Sequence, residues 1–176
     1  MKTLVVYESM FGNTRRIAEA IADALRPSGE VTVTTASDAP VQLSGYGLVV
    51  VGAPTHGHTL PQASSRQEAA SWAEDRERDL TLEEDALESG IREWLERMTL
   101  TASEPRFAAF STRADMPRIF AGDATAAIRR KLHRRDLPVD AHEDFLVDRG
   151  SHLLHGEQQR ARDWALTLVP VPSRQE

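Results

Sequence analysis

Residues 4–25, LVVYESMFGNTRRIAEAIADAL, constrain the fold more than any other stretch of the chain. An apolar run, Leu4-Val5-Val6-Tyr7, stops at a short polar loop, Ser9-Met10-Phe11-Gly12-Asn13-Thr14. Behind the loop, Ile17, Ala18, Ile21, Ala22 and Leu25 recur at helical spacing on one face. Strand, short loop and helix start together form an arrangement that binds phosphate. Loop amides point inward, the helix dipole favours an anion, and the hydroxyls of Ser9 and Thr14 add donors. Gly12 lacks the Cβ that would obstruct close backbone approach. The loop holds no lysine, and G-x-x-x-x-G-K-[ST] is absent, which argues against a nucleotide triphosphatase. The G-x-G-x-x-G dinucleotide pattern is absent as well. The same residues also suit an ordinary first βα turn, with Ser, Asn and Thr as loop and cap residues.

The rest of the chain repeats the alternation. Val31 to Thr35 predicts a second strand, and Leu48-Val49-Val50-Val51, ending in Gly52-Ala53-Pro54, predicts a central parallel strand buried on both faces. Ile91, Trp94, Leu95 and Met98 mark the buried stripe of a helix. Phe107 to Phe110 predicts a fourth strand, opening into Ser111-Thr112-Arg113, and a helix runs from about Asp123 through Ile128 and Leu132. A last strand covers Phe145-Leu146-Val147, with Val139 as an outlier. A closing helix from Gly156-Glu157 buries Ala161, Trp164, Ala165 and Leu168, and Pro170-Val171-Pro172 ends the fold. Residues 63–86 are polar, with Trp72, Leu80 and Leu82 as the only large apolar anchors, and predict a partly helical surface insertion. Asp140, His142, Glu143 and Asp144 read as a solvated loop. About five alternations predict an α/β doubly wound parallel sheet. Ligands then sit outside the C-terminal ends of the strands at the switch point. That rule selects the loops 9–14, 53–60 and 111–122.

At 176 residues the chain is expected to form one domain over 1–170, with a charged insertion at about 63–88 and a short tail at 171–176. There is no cysteine, which excludes disulfides, thiolate metal sites and cysteine nucleophiles. No apolar stretch is long enough to span a membrane, and the first strand begins within three residues of Met1, leaving no room for a signal peptide; the expected location is the cytoplasm. Of the net charge of −6, all resides between Arg66 and Glu88, where nine acids face three arginines. Such a patch either steers a basic redox partner or is simply a solvated face. The basic run Arg129, Arg130, Lys131, Arg134, Arg135 has no interleaved aromatics and lies near a predicted helix end, where cations complement the dipole. It is only weak evidence for nucleic-acid binding, and no nucleic-acid partner is expected.

Val5, Val6, Tyr7, Ser9, Gly12, Thr14, Ala18 and Ile21, in that spacing, resemble the FMN-phosphate signature of flavodoxins with no position missing. Gly52-Ala53-Pro54-Thr55-His56-Gly57-His58 is the second part of the resemblance; beyond it only element order matches. The resemblance implies a flavodoxin-like five-stranded sheet of order 2-1-3-4-5 with helices on both faces, and FMN as cofactor. Carried over to matching positions, it implies cofactor contacts from Ser9, Met10, Phe11, Gly12, Asn13 and Thr14, from Pro54, Thr55, His56 and Gly57, and from Ser111, Thr112 and Arg113. His56 takes a place where a tryptophan or tyrosine often stacks on the ring. Gly57 matches a position whose peptide flips so that its carbonyl accepts a hydrogen bond from the reduced flavin.

Two features stand apart from that pattern. His56 and His58 form an H-x-H pair, but two ligands without a nearby carboxylate or thiolate do not make a metal site. The loop Ser111-Thr112-Arg113-Ala114-Asp115 lacks the tyrosine that often stacks on the outer flavin face, Phe120 being the nearest aromatic. Arg113 either approaches the pyrimidine end, where its charge would stabilise the anionic reduced flavin, or pairs with Asp115 at the surface. The leading expectation is an FMN-binding protein carrying electrons between a reductase and an acceptor. One alternative is an FMN-dependent oxidoreductase on the same scaffold acting on a quinone or protoporphyrinogen. A further alternative is a flavin-free binding domain.

Overall fold

The computed structural model describes residues 1–100 and 104–169, so the expected tail beyond residue 169 lies outside the described residues. Five strands form one sheet: β1 (Thr3–Tyr7), β2 (Val31–Thr35), β3 (Leu48–Pro54), β4 (Arg106–Ala114) and β5 (Val139–Val147). All pairings are parallel, and the order is β2-β1-β3-β4-β5, as the resemblance implies. The central register aligns Val5 with Val33 on one side and Val50 on the other, and Val50 with Ala108.

The two-residue alternation of a strand divides the core. Leu4, Val6, Val49 and Val51 face α3 (Ile91–Arg97) and α5 (Ala124–His133), packing on Ile91, Trp94, Ile128 and Leu132. Val5, Tyr7, Leu48 and Val50 face the opposite way, onto Ile17, Ile21, Ala161 and Ala165 of α1 (Asn13–Leu25) and α6 (Glu157–Leu166). β1 and β3 are buried at every position, which is why both read as unbroken apolar runs. Gly52 in β3 is required by packing, because a Cβ there would fall inside the Phe110 ring of the neighbouring strand.

One expectation is corrected at β5. Asp140, His142, Glu143 and Asp144 lie within β5 instead of a solvated loop, because an edge strand exposed on one side carries polar residues at alternate positions. Residues 63–86 are partly helical, as expected, and α2 (Ala63–Glu74) buries Arg66 and Ala69. A short helix α4 (Arg118–Ala121) interrupts the loop after β4, leaving Phe120 64% exposed. The basic run has a structural use, since Arg135 donates to the Leu95 and Met98 carbonyls at the end of α3, both at 2.8 Å, and Lys131 pairs with Glu96.

Candidate cofactor site

The strands β1, β3, β4 and β5 release their chains at one edge of the sheet, and a cavity of about 540 Å³ opens there. Ser9, Met10, Phe11, Asn13, Thr14, Pro54, Thr55, His56, Gly57, Thr112 and Arg113 line it. Every expected site residue therefore borders the cavity except Gly12 and Ser111.

At one end stands the start of α1. Gly12 occupies the N-cap with φ 85°, a left-handed conformation natural to glycine, and no side chain caps the helix. The first-turn amides of Asn13, Thr14 and Arg15 are therefore left without an intrahelical acceptor. The Ser9 hydroxyl accepts from the Gly12 amide at 3.1 Å, so its own proton remains to be donated. Thr14 and Thr112 hydroxyls meet at 2.8 Å; that contact uses one of their two protons and leaves the other. Asn13 has a different task. Its amide donates to the Ser151 carbonyl at 2.5 Å and its oxygen accepts from the Leu153 amide at 3.2 Å, tying the turn after β5 to the loop after β1.

The loop after β3 makes a tight hairpin. His56 and Thr59 exchange backbone hydrogen bonds of 2.9 and 3.1 Å, with Gly57 at φ 54° and His58 at φ 68° between them. Two positive φ values in a two-residue connection match a type I′ turn. A Cβ on Gly57 would meet nothing within 4 Å, so it is the positive φ and not crowding that favours glycine there. The hairpin is latched to α5: the Asp123 amide donates to the His58 carbonyl, and the Ala124 amide to the Thr55 hydroxyl. Burial holds the His56 imidazole below its ordinary pKa, so the ring is neutral near pH 7.

Ser111, Thr112 and Arg113 lie within β4, which runs on to Ala114, and not in the loop expected after it, so strand alternation places them apart. Thr112 and Arg113 border the cavity, but Ser111 is fully buried and donates to Asp144 at 2.8 Å. The Arg113 guanidinium pairs with Asp144 at 3.3 Å and also donates to the Ala114 and Met116 carbonyls. Its carboxylate partner is thus Asp144, from the adjacent strand, and not Asp115. Asp144 also accepts from Thr125 at 2.6 Å. This partnership spends part of the Arg113 charge before it reaches the cavity.

Sequence reasoning missed two walls. One is the turn after β5, where Val147, Asp148, Arg149 and Ser151 border the cavity. The expected last strand already ended at Val147, so the strand-end rule could have selected this turn as a fourth loop. The other is the charged segment, which contributes Ser65, Glu68, Trp72 and Arg78. It crosses the first loop, its Glu83 amide donating to the Met10 carbonyl at 2.8 Å and its Glu83 carboxylate pairing with Arg15 at 3.0 Å. A buried ion triad anchors it. Arg66, 4% exposed, donates to Glu8 at 2.7 Å and to both oxygens of Glu93. Glu8 and Glu93 accept in turn from the Ile91 and Gly90 amides at the start of α3. Burial pushes the Glu8 carboxyl up despite Arg66. Glu93 is also opposed by burial, but Arg66 holds it below the usual carboxylate range. Two carboxylates sharing one guanidinium divide in this way, the more buried one being the harder to ionise.

The flavodoxin family model matches residues 5–101, which include the first loop, the hairpin after β3 and the charged segment. The chain belongs to the flavodoxin family. Solved flavodoxins share its fold along nearly the whole length. A flavodoxin from the domain Archaea is 18% identical with a TM-score of 0.60, covering 96% of this chain and 96% of its own. Oxidised flavodoxin 1 from Bacillus cereus is 21% identical with a TM-score of 0.59, covering 94% of this chain and 95% of its own. Family membership implies a flavin cofactor, typically FMN, and an FMN-binding electron carrier at family level. The donor set fits such a group: an uncapped helix start with free hydroxyl protons at one end, and aromatic side chains at the other. Among the described residues no helix is long and apolar enough to cross a membrane.

Proposed function

We propose that this flavodoxin binds FMN with its phosphate at Ser9–Thr14 and its ring between the loops after β3 and β4, and passes electrons between a reductase and an acceptor protein in the cytoplasm. The observation that supports this most is the convergence of the uncapped α1 start with Ser9, Thr14 and Thr112 on one cavity. Bound there, FMN would supply one- and two-electron chemistry, while the protein contributes placement and electrostatics.

The Gly57–His58 turn supports a peptide flip on reduction. Reversing the central peptide of a type I′ turn gives type II′, in which only the first central residue keeps a positive φ. Gly57 bears that φ without cost, and His58 is released from the left-handed region. The acidic segment supports steering of a basic partner, with Glu74, Glu77, Glu84 and Glu88 all exposed. The enzyme reading draws on the loop after β4, which brings no aromatic side chain to cover the ring.

The test is an absorption spectrum of the purified protein followed by FMN titration of the apoprotein and dithionite reduction. Flavin absorbance, one FMN per chain and two resolved one-electron steps are expected. A colourless protein that takes up no FMN would leave the flavin-free alternative standing. Turnover of a quinone or porphyrinogen by the protein alone would favour the enzyme. Reduction by a reductase that slows as salt is added would favour the carrier.

A further inference from the structure

The charged segment brings the one large aromatic side chain that sequence analysis had not placed near the ring. Trp72 is half-buried on α2 and borders the cavity. Phe11 lies near-parallel to it, with centroids 6.4 Å apart and planes at 18°, and His56 lies at 6.2 Å and 27°. Arg78 sits over the indole at 5.1 Å from the centroid. Residues from the first loop, the hairpin after β3 and the charged segment thus form one continuous aromatic surface. The segment between Ser111 and Asp115 provides none. The other two tryptophans are elsewhere: Trp94 is fully buried and donates to the Pro40 carbonyl, and Trp164 packs on Phe145.

We propose that Trp72 is a contact residue for the flavin ring, and that α2 supplies the aromatic wall which the loop after β4 lacks. The inference rests on the FMN-binding reading above and adds to it a residue and an element. Three physical points support it. A flat aromatic ligand gains from a flat aromatic wall beyond simple area burial. The indole is held by its neighbours, so little side-chain freedom is lost when a ligand arrives. Finally, α2 is not free to swing away, because Arg66, one and a half turns before Trp72 on the same helix, is locked between Glu8 and Glu93.

The experiment compares the native chain with Trp72→Ala and Trp72→Phe, titrating each apoprotein with FMN and with riboflavin while following tryptophan emission. Circular dichroism confirms that each variant is folded. Trp72→Ala should weaken FMN and riboflavin alike by about tenfold, since the loss is at the ring and not the phosphate. Trp72→Phe keeps a flat ring at the wall and should bind FMN within about threefold of the native chain. Unchanged FMN affinity in Trp72→Ala, or a loss of FMN affinity that riboflavin does not share, would overturn the inference while leaving FMN binding intact. Failure of the native chain itself to bind FMN would overturn the functional reading and this inference with it.

Discussion

The two ends of the cavity are built by different means. At the end proposed for the phosphate, every donor comes from residues 9–15 or from a hydroxyl touching them, and most of the geometry is backbone. At the aromatic end, Phe11, His56, Trp72 and Arg78 come from three separate loops and a helix, and the helix is held by an ion triad spanning residues 8 to 93. The first end is local and tolerates side-chain change as long as the turn survives. The second depends on contacts between distant segments, so one substitution far from the cavity can dismantle it.

Breaking the triad is the most severe way to probe that difference. Arg66→Ala leaves Glu8 buried without its cation and should cost about 3–5 kcal/mol in chemical denaturation. A loss below about 1 kcal/mol would mean that α2 is only loosely attached, as an exposed ion pair would be. At the opposite end, Gly12→Ala forces an alanine to φ 85°, and its Cβ would lie 2.9 Å from a Glu83 carboxylate oxygen. That should cost about 1–2 kcal/mol of stability and weaken FMN more than riboflavin. Equal weakening of the two ligands would show that the ends are not separable.

Thr14→Val removes the hydroxyl contact with Thr112 at the phosphate end. Stability should fall by about 1 kcal/mol, with FMN affinity reduced and riboflavin affinity unchanged in calorimetric titrations. The smallest effect is expected from pH at the aromatic end. Burial lowers the folded pKa of His56, so below about 6.5 the unfolded chain binds the proton first and stability falls as pH drops towards the folded value. Denaturation midpoints at pH 8 and pH 5.5 should therefore differ less in His56→Phe than in the native chain.

How much of this was legible in sequence follows from the same contrast. β1, β3 and α1 were within reach because unbroken apolar runs or clean helical spacing mark them, whereas the strand order was implied by the family resemblance. β5 was traced only at its apolar end, since an edge strand with Asp140, His142 and Asp144 at alternate positions has the composition of a loop. Arg113 borders the cavity as expected, yet its partner is Asp144 on the next strand, a choice set by sheet register. Ser111 follows the same logic, turned toward Asp144 by strand alternation.

Residues 4–25 by themselves determined that this chain would present a helix start beside a polar, hydroxyl-bearing loop at the end of a buried strand. All the parts lie within one turn of each other, so local propensity and backbone geometry suffice. Only the tertiary structure decided what faces that helix start across the cavity. A polar stretch with one tryptophan carries no local sign of its destination. It becomes a wall because Arg66 finds two carboxylates 58 and 27 residues away. Long-range ion pairing of that kind is a property of the assembled fold.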